Sequence, residues 1–271
     1  MPTSVAVIGL GWLGSAFALR CREKGRRVVG TIRDPEHPRR ALPPGIPVLP
    51  FCLGGPIPTP LCEPEGTTAF ITISPSSTGM PAAPFENGLR RLAADLTSHH
   101  AVRIVNVSAT AVYSNRISDP KETDAADTPS PRSGISLLRA ENAIIEGAEG
   151  VPVITIRFGG LFGPGREPGR FFKRRLLRYP DDPVNLIHLD DCIGVLALAG
   201  TLETSQVINA VAPHHPERGL FYTAAALAVG EQPPMSGGAA CSDAPKRINI
   251  DHLTKNLGYT FVHPNPLSLY Y

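Results

Sequence analysis

The stretch Val5-Ala6-Val7-Ile8-Gly9-Leu10-Gly11-Trp12-Leu13-Gly14 decides the fold. Val5 to Ile8 is a short apolar run of the kind a buried parallel strand needs. Glycines follow at 9, 11 and 14, and Ser15 to Lys24 then reads as a helix stopped at Gly25. Arg27-Val28-Val29-Gly30-Thr31 supplies a second strand, which completes one β-α-β unit. The glycine spacing alone is weak evidence, but between a strand and a helix it is informative. The first glycine permits the tight turn, the second lets a pyrophosphate approach the backbone, and the third lets helix pack on sheet. The helix N-terminus then offers unpaired N–H groups and partial positive charge to phosphates.

Working outward, Asp34 to Pro64 carries ten prolines and leaves room only for a short third strand at Val48 to Phe51. Thr68 to Ile73 reads as a strand ending at Ser74-Pro75. Pro84 to His99 is spaced as a helix, Val102 to Val107 as a buried strand, Ile135 to Ala148 as a helix and Val153 to Ile156 as a strand. Beyond Gly159 the rhythm changes. Gly163-Pro164-Gly165-Arg166 is a loop, and Arg170 to Arg178 has the pattern of a basic amphipathic helix. Asn185 to Leu189 and Val207 to Ala212 read as extended, Asp190 to Leu202 and Leu220 to Val229 as helical, with a short helix near Leu253. Strands alternating with helices give an α/β class: a Rossmann-type doubly wound parallel sheet with a small C-terminal α/β substrate lobe. The expected division is 1–160 for the dinucleotide-binding domain and 161–271 for the smaller lobe, with segments interleaved with the main sheet.

Composition narrows the function classes. At 271 residues, 42% hydrophobic and 18% charged, the chain can bury a sizeable core. Its 26 basic and 24 acidic residues nearly cancel, to a formal +2, which argues against nucleic acid or a membrane surface as partner. The five cysteines form no CxxC pair, and neither His99-His100 nor His214-His215 joins an acid or Cys at ligand spacing. Neither a disulfide framework nor a metal site is expected. No apolar run reaches the roughly 18 residues of a membrane span, and no basic leader precedes the first strand. The expectation is a cytoplasmic protein with a small-molecule substrate, and a homodimer is allowed.

Cofactor choice is read at the end of the second strand. An acid there would accept hydrogen bonds from the ribose 2′-hydroxyl of NAD. The position holds Thr31-Ile32, with Arg33 next and Asp34 after it. A guanidinium pairs bidentately with a 2′-phosphate, so NADP(H) is favoured. NAD(H), served by Asp34, is the alternative. The cofactor-binding set is Gly9, Gly11, Trp12, Leu13, Gly14, Arg33 and Ser74.

Several further segments occur in one order: Val107-Ser108-Ala109-Thr110-Ala111-Val112-Tyr113, Glu122-Thr123-Asp124, Arg139-Ala140-Glu141, Arg157 to Arg166, Ile187-His188-Leu189-Asp190-Asp191, and Lys246-Arg247-Ile248-Asn249 with Leu257-Gly258-Tyr259. Together they resemble the extended short-chain dehydrogenase/reductase superfamily, the NAD-dependent epimerase/dehydratase group. The resemblance implies a nicotinamide cofactor and a Ser-Tyr-Lys catalytic triad. The family's Ser/Thr position holds Ala109, and counting back from Glu141 the Tyr-x-x-x-Lys places hold Ser133 and Leu137. No Tyr in the chain has a Lys four residues later. The glycine loop also departs from the family's usual GxxGxxG, which marks an atypical branch.

With that relay erased, Ser108 and Tyr113 are the remaining candidates for catalysis. The resemblance gives His188 and Asp190 a mainly structural role, Asp190 as a helix cap. The basic run Arg170, Lys173, Arg174, Arg175 and Arg178 is either a solvated face or a site for an acidic substrate. The expected function is an NADP(H)-dependent oxidoreductase or epimerase/dehydratase-like enzyme with a non-standard active site. The alternative is a non-catalytic NADP(H) sensor. A 6-phosphogluconate-type dehydrogenase also fits GxGxxG, but the strand-like segments after residue 160 and the lack of a long helix there argue against it.

Overall fold

The computed structural model describes residues 4–36, 41–63, 65–125, 132–172, 176–242 and 244–270, the side chains at 76–77 and 132–133 excepted. The chain opens with β1 (Ser4–Ile8), α1 (Trp12–Glu23), β2 (Arg27–Ile32), β3 (Val48–Pro50) and β4 (Thr67–Ile71). It continues with the single turn α2 (Pro75–Thr78), then α3 (Ala82–Ser98), β5 (Ala101–Ala109), α4 (Arg132–Gly147) and β6 (Val153–Phe158). There follow β7 (Gly160–Phe162), β8 (Leu186–His188), α5 (Leu189–Ala199), β9 (Gln206–Ala210) and α6 (Arg218–Ala228).

Seven strands form one sheet in the order β3-β2-β1-β4-β5-β6-β9. The pairs β1/β2, β1/β4, β2/β3 and β4/β5 all run parallel. From β1 the chain winds outward to β3, then crosses back to β4 on the other side of β1. That reversal is the topological switch point, where open α/β sheets leave a crevice beyond the strands' carboxyl ends.

The chain divides into two compact units, each drawn from three stretches. The first comprises Met1–Ser108, Ile135–Ile156 and Ile193–Val207. β1 and β4 are buried at every position, which is why they read as continuous apolar runs rather than alternating ones. Ala6 and Ile8 lie in register with Ala69 and Ile71 and share a core with Leu89, Leu92 and Leu96 of α3 and Ile144 of α4. On α1, Phe17 meets Phe70 of β4 with ring centroids 4.4 Å apart. Arg103 on β5 donates to the carbonyls of Leu202 and Gly200 just past α5, which answers acceptors a helix end leaves open.

The second unit comprises Ala109–Gly134, Arg157–Cys192 and Ile208–Tyr271. Its small parallel pair, β7 with β8, packs Phe162 and Leu186 against Phe221 and Tyr222 of α6. Phe171 and Phe172 join this aromatic cluster, Phe172 with its centroid 4.6 Å from that of Tyr222.

The basic helix expected over Arg170 to Arg178 does not form among the described residues. Arg170 closes a short 3-10 turn that begins at Pro168. Leu177 instead pairs backbone to backbone with the 235–236 segment, its amide donating to Met235 at 2.8 Å. Lys173, Arg174 and Arg175 lie outside the described residues. No helix among the described residues is long and apolar enough to cross a membrane.

Candidate functional site

At the switch point the glycines divide their labour. Gly9 has φ +105°, and a Cβ there would meet Ile73 Cγ2 at 2.7 Å. A Cβ on Gly14 would run into the Gly9 carbonyl and would stand 2.8 Å from the Thr72 hydroxyl, so helix and strand approach as closely as backbones can. Gly11 differs: a Cβ there would meet nothing within 4 Å. Gly11 is also the N-cap of α1, with no side-chain cap and no acid in the first turn. The turn is pinned from below, where the Thr72 hydroxyl donates to Gly9 O at 2.6 Å and the Leu10 amide to Thr31 O at 2.9 Å.

Above it lies a cleft of about 630 Å³. Its walls are Gly9 to Gly11, the β2 end from Thr31 to Asp34, the β3 end from Phe51 to Leu53, Thr72 and Ile73 after β4, and Thr78 with Met80. Arg33 is exposed on this lining and donates to Thr78 O at 3.3 Å, with Asp34 beside it. The cleft therefore brings together Gly9, Gly11 and Arg33 of the sequence-derived set. Leu13 and Gly14 are buried in α1 behind the turn, Trp12 is half-buried at its start, and Ser74 is exposed beyond β4; none of these four lines the cleft. The wall Phe51-Cys52-Leu53 was not foreseen as part of the site; its signal was the short strand expected at Val48 to Phe51, which ends on it.

The two hydroxyls offered for catalysis are both engaged. Ser108 is buried in the first unit and donates to the buried carboxylate of Glu141 at 2.5 Å. Tyr113 is fully buried in the second unit, donates to Asn209 Oδ1 at 2.5 Å and accepts from Arg157 at 2.9 Å. Burial pushes the Tyr113 phenol above its ordinary pKa, and the Arg157 charge opposes that shift only in part. Arg157 also donates to Glu122 O at 2.8 Å, while Glu122 Oε1 accepts the Asn209 amide at 3.0 Å. Lys246 donates to Tyr113 O at 3.2 Å and to Asn115 Oδ1 at 3.1 Å. Motifs read separately along the sequence thus converge on one buried network, with Asn209 its unforeseen member. Such a network, once satisfied, fixes a unique arrangement.

Of the positions the resemblance assigns to the family's triad, Ala109 ends β5 and Leu137 is half-buried on α4; neither lines the cleft. The Ser133 side chain lies outside the described residues. His188 ends β8, with Nδ1 3.3 Å from an Asp190 oxygen, and His263 Nε2 lies 2.9 Å from the same oxygen.

A parallel sheet that reverses at β1/β4 over a glycine turn, with a second unit inserted through its later strands, is the fold of the extended short-chain dehydrogenases of the epimerase/dehydratase group. The UDP-N-acetylglucosamine 4-epimerase from Bacillus cereus aligns with a TM-score of 0.75 at 16% identity, covering 98% of this chain and 93% of that one. MoeE5, solved in complex with UDP-glucose and NAD, aligns at 0.73 and 22% identity over 98% and 97% of the two chains. No family model matches the sequence. Protein YeeZ of Escherichia coli (strain K12) is 30% identical over 271 residues, which cover 97% of each chain. The chain belongs to the YeeZ family.

Proposed function

We propose that the protein binds NADP(H) in the cleft above the Gly9–Gly14 turn and acts on a small metabolite as an oxidoreductase or epimerase/dehydratase-like enzyme. The open space over Gly11 carries this reading. The N-terminus of α1 opens there onto space in which a Cβ on Gly11 would meet no atom within 4 Å, which suits the approach of a diphosphate. In this reading the amides of Trp12 and Leu13 meet the phosphates, Gly14 holds α1 against the sheet, and Ser74 lies beside the cofactor past β4. Arg33 on the lining supports a 2′-phosphate, and the NAD seen in MoeE5 supports a nicotinamide dinucleotide in general. Without a phenol-amine pair, hydride transfer to an already activated acceptor such as an imine is the chemistry that suits the chain best.

A second reading is a sensor that binds the dinucleotide and turns nothing over. The engagement of both the Ser108 and Tyr113 hydroxyls favours it, since neither is free to serve as a proton donor. Calorimetric titration of NADPH and NADH into the protein and into Arg33→Ala tests the cofactor. We expect tighter NADPH binding that Arg33→Ala abolishes; equal affinities would remove the NADP assignment, and no binding of either would overturn the whole reading. Following NADPH absorbance with carbonyl, imine and nucleotide-sugar substrates then separates enzyme from sensor.

A further inference from the structure

We propose that His188, Asp190 and His263 form a site for a divalent transition metal, with zinc the expected occupant. The donor atoms of the three residues all lie within 4.8 Å of one another. One oxygen of Asp190 stands 3.3 Å from His188 Nδ1 and 2.9 Å from His263 Nε2. Two donors about 2.0–2.1 Å from one zinc ion lie about 2.9 Å apart at a right angle and about 3.3 Å apart at the tetrahedral angle. Both measured separations fall at these values, and the two imidazole nitrogens, within 4.8 Å of each other, must stand no more than about 4 Å apart to share one ion.

The existing polar contacts are the ones a cation would replace. The Asp190 amide donates to His188 Nδ1 at 3.3 Å, so that nitrogen is the unprotonated one. Its single lone pair would turn from this long hydrogen bond to the metal, and the carboxylate oxygen 3.3 Å away would bind the same ion. His263 Nε2, hydrogen-bonded to that oxygen at 2.9 Å, would present its lone pair in place of that bond. Imidazole nitrogen with carboxylate oxygen is a donor set that zinc takes readily.

The site is held from behind. Asp191 is fully buried, and its carboxylate accepts the amides of His263 at 2.9 Å and Val262 at 2.7 Å and the Tyr259 hydroxyl at 3.1 Å. His263 is thereby fixed through its own backbone beside the start of α5. The Asp190 side chain is 45% exposed against 12% for His188, so the site opens to solvent on the carboxylate side. Three protein ligands leave a fourth position for water or a ligand atom. The zinc would tie the chain's C-terminal segment to the β8–α5 junction.

The test is equilibrium dialysis of the intact, chelator-stripped protein against zinc chloride, with the exposed Cys52 and Cys241 blocked by a reversible thiol reagent. We expect one saturable equivalent, weakened at least tenfold in both Asp190→Asn and His263→Gln, with NADPH affinity and the metal-free melting temperature little changed. His263→Gln keeps the backbone amide that Asp191 holds, and Asp190 is exposed, so the two variants do not share one route to misfolding. As a measurement independent of either variant, zinc should raise the melting temperature of the unmodified protein, and cobalt(II) should give a spectrum free of thiolate charge transfer. Absence of a saturable equivalent, or binding that survives in both folded variants, overturns the proposal.

Discussion

Arg157 donates to the hydroxyl of Tyr113 at 2.9 Å, and that hydroxyl donates onward to Asn209 at 2.5 Å. The phenol therefore sits inside a closed relay of buried polar groups, and its pKa is displaced upward, away from neutrality. Tyr113→Phe strands an Asn209 acceptor and one Arg157 donor together. A buried group left unsatisfied costs about 1–3 kcal/mol. We expect a loss of that size in urea unfolding, with NADPH affinity unaltered. Unchanged stability with lost turnover would instead make the phenol a proton donor.

Gly11 and Gly14 should respond in opposite ways to the same methyl group. Gly11→Ala meets nothing within 4 Å, so its stability cost stays near the ~1 kcal/mol of a poorer N-cap residue. Dinucleotide affinity should fall at least tenfold. Gly14→Ala drives a Cβ into the Gly9 carbonyl, which cannot yield as a flexible side chain would, and should cost about 1–3 kcal/mol. Melting curves and calorimetry on the two variants separate the effects.

Cysteine labelling gives a footprint of the cleft. Cys52 is exposed on the lining, whereas burial raises the thiols of Cys21 and Cys62 to about 11. Only the thiolate reacts quickly with alkylating agents. Peptide mapping after brief iodoacetamide treatment should find Cys52 modified well ahead of Cys21 and Cys62, and saturating NADPH should slow it. Equal labelling with and without NADPH would place the dinucleotide elsewhere.

His215 predicts an acid limit to stability. Burial lowers its pKa below 6.5, although its hydrogen bond to the Val184 carbonyl, 3.0 Å away, pulls the other way. In the unfolded chain the imidazole takes its proton near 6.5, so below that pH the unfolded state binds more protons than the native state. The stabilisation from a neutral His215 is complete above about pH 6.5 and declines as the pH falls through that value toward the lower native pKa. Denaturation midpoints followed from pH 8 to pH 5 should fall in the acid part of the range, and less steeply in His215→Gln. A parallel decline in the variant would assign the effect to other groups.

The sequence was most legible where structure is set by neighbours in the chain. Val5 to Gly14 and Arg27 to Thr31 carry their own periodicity and turn chemistry, and the β1-α1-β2 unit follows from them. It was least legible where distant pairing decides. Arg170 to Arg178 has helical spacing, but Leu177 finds its backbone partner at Met235, which no local pattern announces. His263 reaches Asp190 across 73 residues for the same reason. The short strand at Val48 was legible even among prolines, but that its end would line the cleft depends on the pairing of Gly30 with Val48, which no local pattern carries.

Among the described residues, every wall of the cleft comes from between Gly9 and Met80. A pocket written in one unbroken stretch can pass between lineages as a block. Substitutions elsewhere can then reshape the rest of the protein without disturbing this cleft. Insertions and recombination joints should accordingly be purged from the first third of the gene and tolerated in the loops of the remainder.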